Sequence, residues 1–187
     1  MEEVRTVYFD RPGPENTQVT LQLARERALG LGIRTILVAT TKGEAGAVAA
    51  AYLRGFRVVV VTHAMGFRRA NEQELTQENR KAIEDAGAII LTCPHPFAGL
   101  GRATRLKFGT FTSEEIIPNV LRLFGQGMKV AVEIAMMAAD AGLARTDEEV
   151  VSIAGTDHGA DTAVVLAPVN TPHFFNMRVR EILCKPR

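Results

Sequence analysis

The chain has 187 residues, 47% hydrophobic and 23% charged, and its 22 Lys and Arg stand against 21 Asp and Glu for a formal net charge of +1. That is the balance of one globular domain over 1–187; it argues against a broadly basic nucleic-acid binder, and no run approaches the roughly 20 apolar residues of a membrane span. The opening residues MEEVRTVYFD are acidic where a secretion signal is basic, and Cys93 and Cys184 lack metal-ligand spacing, so a reduced cytoplasmic setting without a metal site is expected.

The turn Pro12-Gly13-Pro14 leads to a helix that Asn16 is placed to cap, with Val19, Leu23 and Ala24 as its apolar face and Gly30 as its stop. Thr35 to Ala39 is a short run rich in β-branched and apolar residues, read as a strand covered on both faces. A second helix is expected from about Gly43, with Ala45, Val48, Ala49 and Tyr52 at helical spacing and Gly55 just beyond it. Arg57 to Val61 is a second strand. A third helix covers about Glu72 to Ala86, turning Leu75, Ala82, Ile83 and Ala86 inward and stopping at Gly87, and Ala88 to Leu91 is a third strand. Such alternation implies a parallel sheet with right-handed crossovers.

Past Cys93 the pattern changes. Pro94-His95-Pro96 opens a longer connection through Gly99, Gly101 and Gly109, and Pro118 disturbs what would otherwise be one helix from Ser113 to Phe124. Met128 to Ala141 reads as a helix buried on more than one side. Val150 to Ala154 and Thr162 to Leu166 are the last expected strands, antiparallel if they pair because so short a loop joins them.

The segment Thr40-Thr41-Lys42-Gly43-Glu44-Ala45-Gly46 lies between a strand and a helix. Helix N-termini offer open amides and partial positive charge, so this turn is a candidate phosphate site, with Thr40 and Thr41 as hydroxyl donors and Lys42 as a mobile cation. An ordinary strand-to-helix turn would have similar residues. The loop from Gly155 through Thr156 and Asp161 to Thr162 leaves another strand and is the second candidate, or a plain hairpin turn. Thr62, His63, Gly66 and Phe67 follow the second strand, where His63 can carry a proton and Phe67 can stack on a ring. Lys129 and Glu133 are four apart on the most apolar helix, as an ion pair or as ligand contacts, with Asp140 seven further on; Gln126 stands at that helix's start.

Three stretches resemble the stand-alone relatives of the pyruvate kinase C-terminal α/β domain: Pro12 to Thr17 with its helix, Phe124-Gly125-Gln126-Gly127-Met128-Lys129-Val130-Ala131-Val132-Glu133, and Gly159-Ala160-Asp161-Thr162. Glu181-Ile182 and Lys185-Pro186-Arg187 fit as well. The resemblance runs end to end. It implies a three-layer α/β/α fold whose mostly parallel sheet has the order 3-2-1-4-5, counting the five expected strands along the chain, with the last antiparallel. The turn at Thr40 and the loop at Gly155 then flank one crevice at the switch point. In pyruvate kinase, loops in these places hold a sugar bisphosphate. Here Lys42 and Ala45 depart from the small hydroxyl residues of that pattern, and the second loop lacks the Trp and Arg of many kinases. The sequence carries no catalytic barrel, so phosphotransfer from phosphoenolpyruvate is not implied.

The stand-alone relatives are associated with flavin mononucleotide (FMN), so FMN is the expected cofactor. The expected contacts are Asn16, the Thr40 to Ala45 turn, the Thr62 to Phe67 loop, Gln126, Lys129, Gly155, Thr156, Asp161 and Thr162. An FMN-dependent oxidoreductase is one reading. A non-catalytic sensor for a phosphorylated metabolite is the alternative, and a homo-oligomer with a vestigial pocket is a third.

Overall fold

The computed structural model describes residues 3–187; Met1 and Glu2 of the acidic opening stretch lie outside them. Seven strands form one sheet: β1 (Val7–Phe9), β2 (Thr35–Ala39), β3 (Arg57–Val61), β4 (Ile89–Leu91), β5 (Val150–Ala154), β6 (Thr162–Ala167) and β7 (Arg178–Pro186). Their order is β1-β7-β6-β5-β2-β3-β4. Read from β4 inward, the first five are the expected 3-2-1-4-5. β2 pairs in parallel with both β3 and β5, and β6 runs antiparallel to β5. Two further strands extend the sheet past β6, so the antiparallel strand is interior and not at the edge. β7 pairs antiparallel with β6, and β1 pairs in parallel with β7.

The helices are α1 (Thr17–Leu31), α2 (Glu44–Tyr52), α3 (Gln77–Asp85), α4 (Leu100–Phe108), α5 (Ser113–Leu121) and α6 (Gln126–Asp140). Alternation along each strand divides the apolar residues between two cores. Ile36, Val38, Val58, Val60, Val151 and Ile153 meet α1, α2 and α3 on one face. Leu37, Val59, Val61, Val150 and Val164 meet α6 on the other. Twelve of the fifteen residues of α6 are buried, which its apolar composition anticipates. Ser152 Oγ donates to the Ala131 carbonyl at 2.8 Å, tying β5 to that helix.

Several boundaries differ from the expectations. α1 passes through Gly30 and stops at Gly32, whose left-handed φ of 67° lets its N–H reach back to the last turn. Asn16 does not cap α1 with its side chain, which donates instead to the Arg11 carbonyl at 2.8 Å. Val19 and Val48 are exposed, as is Ala82, while Thr20, Leu21, Ala24 and Ala28 form the buried side of α1. α3 begins at Gln77 and not near Glu72, because Thr76 Oγ1 accepts the Asn79 N–H at 3.2 Å. The stretch read as a glycine-rich connection contains α4. Pro118 sits inside α5 without breaking it, and a 3-10 turn, Arg122–Phe124, leads on to α6. Among the described residues no helix is long and apolar enough to cross a membrane.

Candidate functional site

Strands β2, β3 and β5 run in parallel, so the loops at their carboxyl ends converge on one side of the sheet. There they enclose a cavity of about 800 Å³, also walled by α4 and the start of α6.

After β2, the Thr40 N–H donates to the Val61 carbonyl at 2.9 Å, and Thr40 Oγ1 accepts the Gly46 N–H at 3.4 Å, folding the turn over α2. The outer side of the turn is fastened to α3. The Lys42 carbonyl accepts from the Thr76 N–H at 3.1 Å and from Asn79 Nδ2 at 3.0 Å. Gly43 has φ 110°, and a Cβ there would collide with Asn79 and lie 2.6 Å from Leu75 Cδ1. Its lack of a side chain therefore serves contact with α3. Lys42 is exposed and does not line the cavity. Thr40, Thr41, Glu44 and Ala45 line it, and the Glu44 and Ala45 amides have no hydrogen-bond partner among the described residues.

After β3, His63 lines the cavity while its Nδ1 bonds Glu74 Oε2 at 2.6 Å; Arg68 Nε holds the other oxygen of Glu74 at 3.0 Å. That leaves Nε2 as the free ring nitrogen of His63. Phe67 also lines the cavity, but His63 stacks on it at 4.1 Å and the Arg102 guanidinium lies over it at 4.9 Å. The His95 ring stands 5.0 Å away as well, so three groups already pack around Phe67. Thr62 is buried with its hydroxyl 2.6 Å from Thr92 Oγ1.

The opposite wall is built on a buried charge cluster. Lys129 Nζ donates to Glu133 Oε2, the Phe97 N–H donates to Oε1 at 3.2 Å, and His95 Nδ1 stands 3.4 Å from Oε2. The Ala64 N–H donates to His95 Nε2 at 3.2 Å, so that nitrogen is unprotonated and the ring proton belongs on Nδ1. Burial pushes the Lys129 ammonium below its ordinary pKa, with Arg122 and Arg102 adding to the effect, and outweighs the attraction of Glu133. Burial acts to raise Glu133, but the bonds from His95 and Lys129 hold its carboxyl below the ordinary range. Asp140, expected on the same side of α6, is exposed and instead accepts from Asn170 and Thr171.

The Gly155 loop contributes Gly155, Asp157, His158 and Gly159 to the lining. Asp161 and Thr162 are fully buried away from it. Asp161 Oδ2 accepts the Thr156 N–H at 3.0 Å and Oδ1 accepts the Thr162 hydroxyl at 2.8 Å, bracing the loop from within. Gly127 has no side chain where a Cβ would strike Thr162, so α6 starts in contact with this brace.

Of the residues expected at the site, the cavity thus brings together Thr40, Thr41, Glu44, Ala45, Thr62, His63, Phe67, Gln126, Lys129 and Gly155. Asn16, Lys42, Gly43, Gly66, Thr156, Asp161 and Thr162 lie outside its lining. Sequence reasoning missed Arg102 and Arg122, which line the cavity from α4 and the turn before α6. Among the described residues Arg122 bonds only neutral partners, Gln126 Oε1 at 2.7 Å and Asn119 Oδ1 at 2.9 Å. A basic residue among apolar helical neighbours was the available signal. Among the described residues no three His, Cys, Asp or Glu side chains gather where they could hold a metal ion. A family model for the pyruvate kinase alpha/beta domain matches residues 18–166.

Proposed function

Because the chain belongs to the family of the pyruvate kinase alpha/beta domain, we propose that its cavity binds a phosphorylated small ligand, with FMN the leading candidate. The observation that carries this reading is the turn after β2. Two open amides at the start of α2 stand beside two threonine hydroxyls, at the edge of a cavity of about 800 Å³. Open amides at a helix start favour an anion through both hydrogen bonds and the helix dipole. The volume lies within the usual range of roughly 300–1,000 Å³ for small-ligand sites.

Thr41, Glu44 N–H and Ala45 N–H would hold the phosphate. Arg102 and Arg122 at the facing wall carry positive charge without a carboxylate partner among the described residues, and they draw anions toward the opening. Gln126 and the free Nε2 of His63 offer polar contacts to the rest of the ligand, and Nε2, oriented through Glu74, can take or give a proton there. A bound flavin would supply an electron-accepting ring. Cys93 and Cys184 are both unpaired, and burial pushes the Cys184 thiol up to about 11, which suits a cytoplasmic protein with no redox-active thiol pair.

One observation favours the second reading, a non-catalytic sensor for a phosphorylated metabolite. His63, His95 and Arg102 already pack around Phe67, so it offers a flavin ring less open surface than expected. An absorption spectrum of protein purified without added cofactor, followed by titration with FMN and riboflavin, separates the readings. FMN is expected to bind at least about tenfold more tightly than riboflavin, since a hydrogen bond to a charged group is worth roughly 1.5–3 kcal/mol. Equal affinities would remove the phosphate from the site. A colourless protein that refuses FMN but binds a sugar phosphate moves the assignment to the sensor.

A further inference from the structure

The segment from Leu100 to Phe124 leaves large apolar side chains in water to a degree matched nowhere else among the described residues. Leu100 is 86% exposed, Leu106 73%, Phe108 68%, Phe111 61% and Leu123 81%. Monomeric proteins rarely expose a contiguous apolar patch beyond a few hundred Å². The helix at its centre is short of neighbours. α4 packs on α5 and on no strand to a comparable extent, and Gly101 is its one buried residue. Leu106 and Phe108 sit about 200° apart around the helix axis at 3.6 residues per turn. Contact with α5 alone therefore cannot cover both.

The charges around this patch complement one another. α4 carries Arg102, Arg105 and Lys107 and no acid; α5 carries Glu114 and Glu115 in its first turn and no base. Arg105 and Glu115 pair within the chain at 2.7 Å. Lys107 and Glu114 are both exposed and have no ion-pair partner among the described residues. One patch thus holds both halves of an unmade ion pair, flanking shared apolar side chains. A two-fold interface requires such a self-complementary surface, because each residue of one copy meets its counterpart's neighbour on the other.

We propose that a second copy of this chain docks on the α4–α5 face, laying α4 of each protomer over α5 of its partner. Lys107 of one copy then meets the acidic start of α5 in the other, twice by symmetry, and the partner covers apolar side chains that the chain's own α5 leaves exposed. The pairing also has a consequence for the cavity. Arg102 projects from α4 over Phe67, so fixing α4 fixes that part of the wall.

Sedimentation equilibrium of the full chain over a wide concentration range tests the proposal. The expected mass is twice that of the chain. Leu106→Glu and Leu123→Glu alter exposed positions, so each should keep the wild-type circular dichroism and raise the dimer dissociation constant at least tenfold. Leu123 lies outside α4 and keeps the test valid should the first change unravel that helix. Lys107→Glu should weaken the dimer and Lys107→Glu with Glu114→Lys should restore it. A wild-type monomer at every concentration overturns the proposal, including one that instead sediments with lipid vesicles. Variants that dimerise as tightly as wild type, or a charge exchange that restores nothing, overturn it equally.

Discussion

On the α6 wall of the cavity the buried charges are already engaged: Glu133 receives Lys129, the Phe97 N–H and His95, and His95 in turn receives the Ala64 N–H. On the α2 wall the groups facing the cavity are open, with the Glu44 and Ala45 amides and the Thr41 hydroxyl free of partners among the described residues. The difference follows from burial. A charge removed from water must be matched where it stands, whereas a half-wet turn can leave donors for a ligand. Conspicuous ionisable residues on the apolar helix therefore support the wall, and the plainer turn holds the unmet bonding capacity.

The largest expected effect breaks the α6 wall. Glu133→Gln leaves the Lys129 ammonium buried without its counter-charge and should cost about 3 kcal/mol in urea unfolding at neutral pH. The same carboxylate sets an acid limit. Its folded pKa lies below the ordinary 4.5, so its contribution to stability is complete above about 4.5 and is lost as the pH falls through the folded value. Glu133→Gln should flatten that part of the stability profile. A variant as stable as wild type at pH 7 would mean that Lys129 reaches water without its partner.

How much of this was legible depended on whether local pattern or distant contact decides each element. Thr35 to Ala39, Arg57 to Val61 and Val150 to Ala154 are bounded in the fold as in the sequence, since strands buried on both faces must be apolar throughout. β7 was not legible. Its sequence RVREILCKP mixes charge with apolar residues, and its place is decided by pairing with β6 and β1 across irregular register. α4 was hidden because Gly99, Gly101 and Gly109 read as loop, although Gly101 is a contact point for α5, where a Cβ would sit 2.8 Å from Thr112 Oγ1. At the site, loop position found Thr41, His63 and Gly155. It also drew in Asp161 and Thr162, whose polar groups face each other inside the loop, because residue type does not tell a brace from a contact.

A smaller effect sharpens the contrast within the α2 turn itself. Gly43→Val would press on Leu75 and Asn79 and force a β-branched residue to φ 110°. Overpacking of this kind costs roughly 1–3 kcal/mol. The loss should be visible in urea unfolding without any ligand, since the glycine serves the joint with α3. An unfolding midpoint equal to that of wild type would return Gly43 to the list of ligand contacts.

The smallest expected effect decides which wall receives the phosphate. Thr41 is partly exposed, so Thr41→Val should leave stability within about 0.5 kcal/mol of wild type, as most surface changes do. If its hydroxyl donates to phosphate, the change should weaken FMN about tenfold, the lower end of the value of a hydrogen bond to a charged group, and leave riboflavin unchanged. Arg122→Gln addresses the other wall. A steering charge acts on the association rate and its salt dependence more than on dissociation. This variant should therefore slow FMN binding a few-fold at low salt, with little difference from wild type when salt is high. Stopped-flow titration of both variants with FMN and riboflavin reads the two effects separately. The reverse pattern, with Arg122→Gln speeding dissociation and Thr41→Val silent, would put the phosphate on the arginines and leave the open amides of α2 to water.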